Sequence, residues 1–204
     1  MELRDALTQI TEIRLQMART ELFRGYRAVP AAFSGALALA AAAIQALVIS
    51  DPMQHRAAYL SLWIGSAALS GASAVIEMLI RARYARSPFT RELTAMAIEQ
   101  FFPCLVVGGL ATVVLARSAP ASFWMLPGLW QLFYSLGIFA TCRLLPRPMS
   151  AVAVFYALSG LATLTLAQGD RALSPLAMGI PFGVGQLLAA AVLYRTLERH
   201  HDAA

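Results

Sequence analysis

Six apolar stretches, each free of charge in its centre, constrain this 204-residue chain more than any other feature. They cover residues 31 to 50, 58 to 80, 95 to 116, 121 to 142, 150 to 168 and 175 to 193, so each is 19 to 23 residues long. At about 1.5 Å per residue, a helix of that length crosses a hydrocarbon core of roughly 30 Å. Strands do not fit, because alternating segments of about 10 residues are missing and lipid offers no partner to an open sheet backbone. Composition agrees: 59% of residues are hydrophobic and only 13% charged, too few polar side chains to coat a water-soluble domain of this size. The sequence predicts an all-α fold, a polytopic membrane bundle of six transmembrane helices with an N-terminal cytoplasmic amphipathic helix.

Arginine placement predicts orientation, because cytoplasmic loops retain positive charge while short external loops lose it. One side would hold Arg4, Arg14, Arg19, Arg24 and Arg27, then Arg81, Arg83, Arg86 and Arg91, then Arg143 and Arg147, and last Arg195 and Arg199. The other would hold only Arg56, Arg117 and Arg171. Both termini are therefore expected in the cytoplasm. Residues 1 to 29 form the cytoplasmic helix, 30 to 195 the six-helix domain and 196 to 204 a short cytoplasmic tail. In the first of these, Leu3, Ala6, Leu7, Ile10, Ile13 and Met17 fall within about 120° of one another at helical spacing. Acidic residues among its arginines, and an apolar stretch that begins late, argue against a cleavable signal. Its low net charge also argues against a strong polybasic lipid anchor. Residues 1 to 20 are thus a helix packed on the bundle or the headgroup layer, or a docking face for a cytoplasmic partner or a second copy.

Several chemistries are excluded by what is missing. All basic residues are arginine, so no P-loop, Schiff-base or kinase lysine exists. The three histidines, His55, His200 and His201, all lie outside the apolar stretches, which leaves no membrane haem ligand, no usual zinc set and no intramembrane His-dependent protease. Cys104 and Cys142 differ in depth by over about 10 Å and form no Cys-x-x-Cys pair, so they read as free thiols. No cofactor and no metal is expected. A nucleic-acid partner is not expected either, because the arginines sit at helix ends and form no groove-reading face.

Polar residues inside a bilayer are costly, which makes each a candidate for function. Glu77 and Glu99 lie at similar depth near the cytoplasmic ends of spans two and three. With Arg81, four residues after Glu77, and with Arg143, they form either a charge-neutralised cluster that locks helix ends or an ion or proton path. Ser66, Ser70, Ser73 and Glu77 share one face of span two, and Ala67 and Gly71 extend it as a packing surface. Gln131 and Gln186 lie near the midplane in matching surroundings, each in a Gly-x-x-Gln-Leu that follows a proline. Such a repeat fits parallel helices derived from repeated hairpins. Each glutamine can tie two helices together, or, with Tyr134, Tyr156 and Trp130, line a pocket for a small or lipid-like ligand. Span six, with Gly179, Pro181, Gly183 and Gly185, is expected to be broken or kinked. Trp63, Trp124 and Phe123 are assigned to the outer aromatic belt.

The stretch Met125-Leu-Pro-Gly-Leu-Trp-Gln-Leu-Phe-Tyr-Ser-Leu-Gly-Ile-Phe-Ala-Thr-Cys-Arg-Leu-Leu-Pro-Arg, with Leu173-Ser-Pro-Leu-Ala-Met-Gly-Ile-Pro-Phe-Gly-Val-Gly-Gln-Leu-Leu and the early Phe23-Arg24-Gly25-Tyr26, carries a resemblance. Over most of its length the chain resembles an uncharacterised family of small six-span bacterial inner-membrane proteins, associated with neighbouring winged-helix regulators. The resemblance implies a bacterial inner (cytoplasmic) membrane and brings no activity, so no site residue is carried over from it. The sequence is best explained as a non-catalytic integral membrane protein that binds a small apolar or lipid-like ligand, or a protein partner, in a sensor or scaffold role. The alternative is a small transporter or channel with a Gly/Pro-broken sixth helix and a cytoplasmic-side Glu pair. A lipid-directed enzyme ranks last, since only Glu77 and Glu99 could serve as acid or base. A reporter fused after Asp170 should read as external; a cytoplasmic reading would overturn this topology.

Overall fold

The computed structural model describes residues 28 to 84 and 88 to 198. Six helices long and apolar enough to cross a membrane make up the fold, and no strand occurs among the described residues. They are α1 (Ala28–Val48), α2 (Arg56–Tyr84), α3 (Pro88–Ser118), α4 (Leu126–Thr141) taken with the 3₁₀ turn before it, α5 (Met149–Leu166) and α6 (Pro175–Leu193). Short 3₁₀ segments, Pro120–Met125 and Gly169–Leu173, lead into α4 and α6, and Tyr194–Glu198 continues α6 as a wider π turn. Every expected span coincides with one of these helices. The expected amphipathic helix lies almost entirely outside the described residues, as does most of the short tail.

Chain ends of the helices follow from local chemistry. Pro127 and Pro175 occupy first-turn positions where a missing N–H costs nothing. The Ser174 side chain caps α6 by accepting from the Ala177 N–H. Gly169 adopts a left-handed φ of 63°, which turns the chain into the second 3₁₀ segment.

Packing is uneven. The most extensive interfaces run between α1 and α6 and between α4 and α5, with α3 laid along α4 and α2 along α1. Across the membrane-length windows, 33 to 50% of residues in α1, α4, α5 and α6 are buried, against 11% in α2 and in α3. A four-helix core therefore carries two loosely attached helices. At the end with the 3₁₀ segments, Ala41, Ala42, Tyr59, Trp63, Phe123, Leu126, Leu173 and Met178 form one cluster. Toward the other end, Ile138, Met149, Val152, Ala153, Tyr156, Ala189, Ala190 and Leu193 form the second.

The two main interfaces are glycine crossings. A β-carbon on Gly35 of α1 would lie 3.0 Å from the Gly183 carbonyl and 3.2 Å from the Gln186 Cβ of α6. On Gly160 of α5 it would lie 2.8 Å from the Gly128 carbonyl and 3.2 Å from the Gln131 Cβ of α4. Each Gly-x-x-Gln-Leu thus seats its first glycine against a glycine of an antiparallel neighbour. The sequence likeness between the two has a common geometry behind it, because close backbone approach is what small residues supply where lipid removes the hydrophobic drive for helix association.

Three expectations need correction. Trp63 and Phe123 do not belong to an aromatic belt: they are 4% and 0% exposed, and both fill the cluster at the 3₁₀ end. Their physical role is to hold α2 and the first 3₁₀ segment on the core. Of the break or kink expected in span six, the break does not occur, since α6 is α-helical from Pro175 to Leu193 with Pro181 inside it. Ser66, Ser70 and Ser73 are only half-buried, and Gly71 meets nothing within 4 Å among the described residues, so that face of α2 is not a tight packing surface.

A bulky side chain at Gly160 must displace backbone. Gly160→Val should lower unfolding stability in mild detergent by about 1 to 3 kcal/mol through overpacking. Gly65→Ala on the open side of α2 should leave the melting temperature unchanged.

Candidate functional site

Polar side chains in the core concentrate between α4 and α6. Gln131 is fully buried, and its Nε2 donates to the Ala177 carbonyl oxygen at 2.9 Å. Why that carbonyl is free follows from the sequence. In an α-helix it would accept from the N–H of residue 181, and Pro181 has none. The amide of Gln131 on α4 therefore replaces the hydrogen bond that Pro181 deletes from α6. An unmade bond at that depth would cost about 1 to 3 kcal/mol, and Gln131 removes the reason for α6 to break there.

Gln186 is 6% exposed, and its Nε2 donates to the Tyr134 hydroxyl. Around it stand aromatic rings in edge-to-face contact. Tyr134 lies 4.8 Å from Tyr156, 5.4 Å from Phe101 and 5.7 Å from Phe182, centroid to centroid. Beneath Gly185, a β-carbon would meet the Tyr156 ring at 2.5 Å, which is why a glycine precedes Gln186. Ser135 adds an α4 to α5 tie by donating to the Ala153 carbonyl at 2.8 Å. The Cys104 and Cys142 thiols are free.

Among the described residues, three buried polar atoms remain without a hydrogen-bond partner: Oε1 of Gln131, Oε1 of Gln186 and, in the cluster at the 3₁₀ end, the Tyr59 hydroxyl. A third glutamine shows that this state is not a general one. Gln45 of α1 is fully buried, donates from Nε2 to the Leu173 carbonyl at 2.7 Å and accepts at Oε1 from the Trp63 indole at 2.7 Å. It ties α1 to α2 and to the second 3₁₀ segment. The sequence reading missed Gln45, although a lone glutamine in an otherwise apolar helix is the same signal that singled out Gln131 and Gln186.

Of the proposed ligand-binding residues, Gln186, Tyr134 and Tyr156 come together, with Gln131 one turn away on α4. Trp130 does not join them. Its indole donates to the Thr112 hydroxyl at 2.8 Å, and its ring packs with the cluster at the 3₁₀ end. Thr112 passes the bond back to the Gly108 carbonyl at 2.7 Å, so Trp130 ties α4 to α3.

The proposed ion-path residues differ in exposure. Glu77 is half-buried on α2, whereas Glu99 on α3 and Arg143 beyond α4 are exposed. The Arg81 side chain lies outside the described residues. An open groove on the flank of α2, lined by Ile76, Leu79, Ile80 and Arg83, is apolar apart from the guanidinium. No group of three or more His, Cys, Asp or Glu able to hold a metal occurs among the described residues. The site is defined as a buried, uncharged, aromatic-lined polar pair inside an all-α bundle of six membrane-length helices. Comparison with protein-family models, curated proteins and solved structures gives no match.

The role of Gln131 toward Pro181 makes a double-mutant cycle decisive. Gln131→Leu alone should destabilise the protein by about 1 to 2 kcal/mol, within the range of buried hydrogen bonds in membrane helices. Adding Pro181→Ala, which restores an N–H for the Ala177 carbonyl, should recover most of that loss in thermal unfolding.

Proposed function

We propose that the chain is a non-catalytic multi-pass protein of the bacterial inner membrane, with cytoplasmic termini, that binds a small lipid-like ligand between α4 and α6. One observation carries the reading. The Oε1 atoms of Gln131 and Gln186 are buried acceptors without a donor, whereas the equivalent atom of Gln45 is filled. An unfilled buried acceptor costs about 1 to 3 kcal/mol, which a ligand hydroxyl or amide would recover. The rings of Tyr134, Tyr156, Phe182 and Phe101 suit the apolar part of such a molecule. An uncharged site favours a neutral donor over an ion. The transporter reading has less support, since α6 is unbroken and Glu99 stands on an exposed face of α3.

Native mass spectrometry of protein extracted in mild detergent should show a bound neutral lipid-like species. Its occupancy should drop about tenfold in Gln131→Leu/Gln186→Leu, the change expected when roughly 1.4 kcal/mol of binding is lost. Equal occupancy in both proteins, or none in either, would reject the site.

A further inference from the structure

Arginines at the two ends of α2 are used differently by the fold. Arg56, in the first turn, is half-buried: its Nε donates to the Met53 carbonyl at 2.9 Å, and its guanidinium lies 5.3 Å from the centre of the Phe123 ring. Arg83, near the other end, is exposed, and among the described residues no hydrogen bond or ion pair engages it. It stands at one end of a groove of about 180 Å³ lined by Ile76, Leu79 and Ile80. At helical spacing these four residues fall within about 100° of one another and extend about 10 Å along the axis. The three apolar walls are each half exposed.

Depth and charge give the groove a polarity. The membrane-length part of α2 ends at Ile80, so the walls lie at acyl-chain depth, and Arg83 reaches headgroup level about 4.5 Å beyond. Glu77, the one carboxylate of α2, stands about 120° around the helix from Arg83 and about 9 Å deeper, and Glu99 belongs to α3. Cations dominate this end of the molecule. Residues 81 to 94 hold Arg81, Arg83, Arg86 and Arg91 against the single Glu92, and Arg143 and Arg147 at the same end are both exposed.

We propose that the groove seats an acyl chain of an anionic phospholipid whose phosphate pairs with the Arg83 guanidinium. A guanidinium presents parallel N–H donors that match two phosphate oxygens. A protein helix laid in the groove would cover the apolar walls and leave the guanidinium without an anion, whereas an amphiphile satisfies both. The surrounding arginines repel the ammonium of a zwitterionic headgroup and attract a headgroup of net negative charge. This site lies on the flank of α2 and does not rest on the ligand reading between α4 and α6.

The test uses the full chain in nanodiscs of equal phosphatidylglycerol and phosphatidylethanolamine, released for native mass spectrometry. The first phospholipid retained should be preferentially phosphatidylglycerol. Arg83→Gln should lower that preference about fivefold, the share of one arginine at an anionic surface. Ile80→Trp, which fills the groove and keeps the cation, should lower it too. Arg147→Gln removes the same charge at the same end and should leave the preference intact, as should Gln131→Leu/Gln186→Leu. Positions 80, 83 and 147 are exposed, so the three single substitutions disturb no core. Equal losses in Arg83→Gln and Arg147→Gln would overturn the proposal in favour of a diffuse basic surface. It would also be overturned by a wild-type protein without the preference, or by one unchanged in Arg83→Gln. Loss of the preference on adding soluble glycerol phosphate would overturn it in favour of a site for the free anion.

Discussion

Backbone contact at glycine is the interaction on which the rest of this bundle depends. Inside a bilayer, apolar side chains gain nothing by leaving lipid for protein, so helices associate through close packing and through the few polar ties available. Gly35 against Gly183 and Gly160 against Gly128 bring α1 to α6 and α4 to α5 closely enough for both. The glutamines add ties between the two crossed pairs. Gln186 and Gln131 each stand three residues beyond the crossing glycine, and their amides reach a different helix from the one crossed: Gln131 of α4 to the Ala177 carbonyl of α6, and Gln186 of α6 to the Tyr134 hydroxyl of α4.

Proline and glutamine then act as a pair across helices. Pro181 in mid-helix would be expected to weaken α6, and its cost lies in one carbonyl, that of Ala177. Gln131 meets that carbonyl, and α6 continues unbroken. Gln131 uses its donor in that repair and leaves its acceptor, and Gln186 does the same toward the Tyr134 hydroxyl. That asymmetry is the physical origin of the two open oxygens, and it sets the class of ligand the site would favour: a neutral donor on an apolar body.

The six spans, their lengths and the all-α class were legible from hydropathy alone, because the length of an apolar run and the thickness of a bilayer leave one conformation. Gln131 and Gln186 stood out as candidates in the sequence too, since intramembrane amides are scarce. Their partners were not. Nothing in a linear reading connects Gln131 with a carbonyl 46 residues away. Trp63 and Phe123 were misread for a related reason. An aromatic residue near a span end fits both the membrane interface and a buried cluster, and only the approach of α1, bringing Gln45 to the Trp63 indole, separates the two. Trp130 shows the converse: beside Gln131 in the chain, it turns to Thr112 because neighbours one position apart on a helix point about 100° apart.

By itself the sequence determined how many helices cross the membrane, because that depends on local hydrophobicity counted along the chain. Which helices touch was decided only in the tertiary structure. Glycines occur in all six helices or at their crossings, and the same Gly-Leu-Ala-Thr run appears in α3 and in α5. One copy is buried against α4 and the other meets nothing within 4 Å of its glycine among the described residues, since contact requires a facing helix to come within reach, and that condition is set by the positions of all the helices together.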